Sequence, residues 1–127
     1  MSAETNPGCQ QKAVRQYDVF LADLPVIAED SHITNGPHYV VVISNNAANR
    51  FSEVISVVPL TSKKKKKLPT HVALNADEVG LWKTSTAMAE LTMPIDKKFL
   101  RKKMGVLAKS RRAELKNAVK VQYSMAE

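Results

Sequence analysis

The groups best equipped for chemistry in this chain are cations. Lys63 to Lys67 form an unbroken run of lysines, and the stretch from Lys97 to Lys120 holds ten basic residues against one acid, Glu114. The whole chain carries +7, yet outside those two segments it is net acidic. Ammonium and guanidinium groups at that density neutralise phosphates and release condensed counterions, so the segregation points to a polyanion such as nucleic acid. An acidic protein partner, or a solvated helix face beside a loop, would use the same charges. Of the three histidines, His38 stands beside a strongly apolar segment. An imidazole titrates at about 6.5 and so exchanges protons near neutral pH, although a lone histidine beside a buried strand is more often structural.

Several chemistries are excluded. Cys9 is alone, which leaves no internal disulfide and no Cys-based zinc site. No GxxxxGK[ST] or GxGxxG loop is present to cradle nucleotide phosphates. The longest strongly apolar run, Tyr39 to Ile43, is far short of the ~20 residues a membrane helix needs, and the first 15 residues lack the apolar stretch of a signal peptide. The expectation is a basic cytoplasmic protein with no membrane association, no cofactor and no metal.

The elements that must position these groups are mostly strands. With 127 residues, 44% hydrophobic and 24% charged, the chain has the composition of a globular domain. It can bury roughly two-thirds of its unfolded surface around one core. Residues 1–14 are polar with Pro7-Gly8 and read as a flexible tail, leaving 15–124 as a single domain. Strands are predicted at Tyr17 to Leu24, Tyr39 to Ser44, Val54 to Leu60, His71 to Leu74, Thr84 to Glu90 and Met104 to Leu107. The run YVVVIS should be buried on both faces. Asn45, Asn46 and Asn49 mark a turn, and residues 28–37 a polar loop. A terminal helix starts near Ser110 as its cap, with Leu115, Ala118, Val119 and Gln122 on one narrow stripe. The fold class is mainly β with a C-terminal helix (α+β), built as a small barrel.

In order along the chain stand Tyr17 to Leu24, then GPHYVVVISNN from Gly36, then Asn49-Arg50-Phe51, Pro59-Leu60-Thr61-Ser62, Leu68-Pro69-Thr70-His71-Val72, and Ala89-Glu90-Leu91 with Ile95-Asp96-Lys97. This succession resembles the PemK/MazF toxins of bacterial toxin–antitoxin pairs, over roughly residues 15–122. The resemblance implies an SH3-like β-barrel that forms a homodimer. It also implies a metal-independent endoribonuclease that cuts single-stranded RNA, often mRNA, to a 2′,3′-cyclic phosphate and a 5′-hydroxyl. A cognate acidic antitoxin is the implied partner, and DNA is met only through the antitoxin complex.

Such cleavage needs removal of the 2′-OH proton, protonation of the leaving 5′-oxygen and stabilisation of an anionic phosphorane. The family uses an arginine in G-x-R-P and a threonine in P-L-T-S. Here the threonine is Thr61, but the arginine position holds His38 and the following proline is Tyr39. By the resemblance, His32 falls at a loop histidine and Glu90 at an acidic position that one branch uses, so His38, Thr61, Glu90 and His32 form the candidate catalytic set. Ser62, Lys63, Lys64, Lys65, Tyr39, Arg50 and Trp82 are the candidate RNA contacts, since single strands are held by cationic rims and aromatic platforms. Two alternatives stand beside the nuclease. One is a cleavage-impaired homologue that only binds RNA or antitoxin. The other is a toxin aimed at a protein.

Overall fold

A computed structural model describes residues 13–63 and 66–125. The expected tail therefore lies almost wholly outside the described residues, as do Cys9, Lys64 and Lys65.

Seven strands form one sheet: β1 (Asp18–Leu24), β2 (Gly36–Val42), β3 (Val54–Thr61), β4 (His71–Leu74), β5 (Ser85–Met88), β6 (Met93–Asp96) and β7 (Leu100–Val106). Among the described residues three α-helices accompany them: α1 (Asn46–Phe51), α2 (Ala76–Val79) and α3 (Lys109–Gln122). The hydrogen-bonded order is β4-β5-β3-β2-β1-β7, with β6 also on β3, and the pairings are antiparallel. Mainly β with a C-terminal helix is thus the architecture. The expected barrel is modified, because the sheet does not close. β3 divides its outer edge between β6 (Val54 to Val57) and β5 (Leu60, Thr61), so β4 and β7 remain as ends. Pro59 falls in the gap between those two partners, where an interruption of the ladder costs least.

The β-branched run of β2 is buried on both faces. Val41 packs with Val19, Val58 and Leu115, while Val40 and Val42 pack with Phe20, Ile55 and Ile95. Burying each such side chain contributes about 1.5–3 kcal/mol, which pins the register of the three central strands. Tyr17, expected inside the first strand, instead precedes it with φ of +75°. Its N–H donates to Val42 O at 2.7 Å, its carbonyl accepts from Leu107 N–H at 2.8 Å, and the Arg112 guanidinium lies 4.8 Å from its ring centre. Those partners offset an unfavourable backbone conformation.

Several local expectations are corrected. Asn45, Asn46 and Asn49 do not form a simple turn. Asn45 caps α1 by accepting from Ala48 N–H at 2.9 Å, and buried Asn49 donates to Ser44 O at 2.8 Å. Strand β2 begins at Gly36 rather than Tyr39, because Leu24↔Gly36 pairing to β1 extends it. Thr84 to Glu90 splits into β5 and a 3₁₀ turn, Ala89–Leu91. Strands β6 and most of β7, together with α2, had no clear apolar periodicity to announce them. Ser110 is not the helix cap: α3 starts at Lys109 with Ala108 in the cap position and no side-chain cap bond. Its Leu115 and Ala118 are buried as expected, whereas Gln122 is exposed. None of the described helices is long and apolar enough to cross a membrane.

Candidate active site

The first residues of β2 and the last of β3 meet at one end of the sheet. The β2–β3 ladder runs from Val42↔Val57 to Val40↔Pro59, so His38 and Thr61 both lie just past its end on the same side of the sheet. Both line a cleft of about 580 Å³, together with Tyr39, Ser62, Lys63 and Trp82. Six residues proposed from the sequence therefore converge on one cavity. Leu21, Leu60 and Leu81 give it an apolar lining, and Lys83 and Ser85 complete its polar side. Among the described residues that line it are two lysines and no carboxylate.

Each side chain has a definable chemical state. Thr61 Oγ1 accepts from Lys63 N–H at 3.2 Å, which leaves its own hydroxyl hydrogen free to donate to an anion. His38 is half-buried, and its Nδ1 is buried without a hydrogen-bond partner. Tyr39 is half-buried and packs against the core, whereas Trp82 is 83% exposed and stands at the rim. An indole that open to solvent is a surface group, not part of the core.

Trp82 and Lys83 are held there by glycine. Gly80 ends α2 with φ of +73°, and a Cβ at this position would lie 2.6 Å from Met104 O on β7. Only a residue without a side chain allows that approach, which launches the 81–84 loop over the cleft. Lys83 escaped the sequence reading, although Gly80-Leu81-Trp82-Lys83 sets an aromatic beside a cation at a forced turn.

Three candidates are not in the cleft. Glu90 sits on the 3₁₀ turn after β5, four residues beyond Thr86, the partner of Thr61, and does not line the cleft. Its carboxylate accepts from His71 Nε2 at 2.7 Å and from Thr70 Oγ1 at 2.8 Å. Burial pushes its pKa up, but the bonds from His71, its own backbone and Thr70, with the His71 charge, hold it below the ordinary carboxylate value. Glu90 is thus hydrogen-bonded in a Glu90–His71–Thr70 cluster rather than placed in the cleft with His38. His32 is exposed in the loop between β1 and β2 and does not line the cleft. Arg50 lies on α1, at the opposite end of β3, where the short helix carries it away. Lys64 and Lys65 lie outside the described residues.

The antiparallel sheet with its terminal helix is a fold shared with solved MazF-type toxins. MazF from Deinococcus radiodurans superposes with a TM-score of 0.75 at 19% identity, covering 90% of this chain and 99% of that one. A mycobacterial endoribonuclease, solved in complex with its cognate antitoxin, gives 0.74 at 22% identity over 91% of this chain and 99% of its own. The chain belongs to the PemK-like, MazF-like family of toxins of type II toxin–antitoxin systems, whose sequence pattern matches residues 15–123. Endoribonuclease MazF of Staphylococcus epidermidis is 32% identical over 113 residues, which is 88% of this chain and 92% of that protein.

Proposed function

We propose that this chain is a toxin–antitoxin endoribonuclease that cleaves single-stranded RNA, mRNA included, in the cleft between His38 and Thr61. The observation that carries the reading is their convergence, from two strands, on one cation-rimmed cavity with no carboxylate among its described lining residues. In this scheme the 2′-oxygen attacks the adjacent phosphorus and the P–O5′ bond breaks, leaving a 2′,3′-cyclic phosphate and a 5′-hydroxyl. Neutral His38 takes the 2′-OH proton, and the 5′-oxygen departs with a proton from solvent. The Thr61 hydroxyl donates to a non-bridging oxygen, and Lys63 and Lys83 supply the fixed charge that an arginine at position 38 would otherwise give. Ser62 offers a second hydroxyl, and Tyr39 and Trp82 are stacking surfaces for bases flanking the cut.

Residues 15–124 are proposed to act as one toxin domain, as a homodimer, in the cytoplasm where mRNA is found. An acidic antitoxin segment would neutralise the lysines at the rim, and DNA would be met only through that complex. The decisive experiment incubates the purified protein with a long unstructured RNA in EDTA and maps the ends chemically. Cyclic-phosphate and 5′-hydroxyl ends are expected. RNA binding with steep salt dependence but no product would select the cleavage-impaired alternative, which the His38 replacement favours.

A further inference from the structure

Arg50, excluded from the cleft, belongs to a different groove. This second cavity, about 580 Å³, lies at the other end of β3 and is lined by Arg15, Asn46, Asn49, Arg50, Phe51 and Lys97 among others. None of its described lining residues is a carboxylate, and Arg15, Arg50 and Lys97 have no ion-pair partner among the described residues. Phe51 is 79% exposed, and the Arg50 guanidinium lies 5.3 Å from its ring centre. A large aromatic face left in water beside three unpaired cations has no role in the core, because neither core cluster includes it. Asn46 accepts from Gln16 N–H at 2.8 Å, so its amide hydrogens remain available to a hydrogen-bond acceptor.

We infer that this groove is a second single-stranded RNA contact, in which a nucleobase stacks on Phe51 while Arg50, Arg15 and Lys97 meet the neighbouring phosphates. The chemistry is that of a stacking platform inside a cationic channel. Arg50 covers one face of the phenyl ring and leaves the other for a base. The two sites are separated by the length of β3, roughly 23 Å at ~3.3 Å per residue, so only an RNA of several nucleotides spans both. The inference rests on the reading of the chain as an RNA-cleaving toxin and adds a distal contact for the same substrate.

The test uses the intact protein and two unstructured RNAs, of three and thirty nucleotides, carrying the same site with a 2′-deoxy scissile ribose. Fluorescence anisotropy of wild type, Phe51→Ala, Phe51→Trp and Arg50→Gln reads affinity, and sedimentation reads the oligomeric state. Phe51→Ala should weaken binding of the long RNA about tenfold or more and leave the short RNA within about twofold. Phe51→Trp should retain long-RNA affinity, and Arg50→Gln should flatten the salt slope by ~0.7. Equal effects on both RNAs, no effect on either, or a Phe51→Ala protein that loses its dimer would overturn the inference; the last would make the groove an interface between copies. Phe51-dependent binding without any cleavage of the natural ribose RNA would instead sink the nuclease reading and leave the groove standing.

Discussion

At His38 an imidazole stands where the family carries a guanidinium, and an imidazole can take a proton from a hydroxyl where a guanidinium cannot. His38→Ala should lower kcat about 10²- to 10⁴-fold. Thr61→Ala should lower kcat about 10²-fold with RNA affinity little changed, and Thr61→Ser should restore most of it. Single-turnover kinetics measures both. Glu90 gives the opposite expectation, a pH effect on stability without one on chemistry. Its folded pKa lies below the unfolded one, so its stabilisation is complete at neutral pH and is lost as pH falls from about 4.3 through the folded value. Denaturation of Glu90→Gln should show a shallower loss of stability between pH 5 and 3 than wild type, at unchanged kcat; a large drop in kcat would return Glu90 to the catalytic set.

Among the elements, the strands legible from the sequence were those with β-branched runs, such as Tyr39 to Ile43, because burial on both faces leaves a continuous apolar signature. Met93–Asp96 and Leu100–Val106 carry Pro94, Asp96 and three consecutive basic residues, and they are strands because β3 and β1 offer free edges. The asparagine cluster read as a turn because its residues favour turns, yet the same side chains cap and brace α1. Element placement also depends on Gly80. Gly80→Ala should destabilise the protein by more than ~1 kcal/mol, since it combines a left-handed φ with a backbone clash at Met104. It should also displace Trp82 and Lys83 and raise the KM for RNA, a pairing that thermal denaturation and steady-state cleavage would detect together.

For the whole molecule, charge segregation matters more than any single lysine. The affinity for single-stranded RNA should fall linearly with log salt, with a slope of about −0.7 per phosphate neutralised. Association with an acidic antitoxin should slow as salt rises. A salt-insensitive association rate in stopped flow would remove the charged face from that interface. The open ladder has a consequence as well: β4 and β7 present unpaired edges, and β7 guards its own with Arg101, Lys102 and Lys103.

By itself the sequence determined the chemical inventory, a basic strand-rich chain whose ordered motifs carry a threonine, a histidine at the family's arginine position and a cationic rim. Local pattern suffices for that, because residue type and periodicity are properties of short segments. Only the tertiary structure decided which of those groups share a cavity. Register across β2 and β3 brought His38 to Thr61, while a two-strand pairing carried Glu90 to His71 and a six-residue helix carried Arg50 to the far end. Proximity between segments this far apart in sequence is fixed by strand pairing and core packing, and no local pattern encodes it.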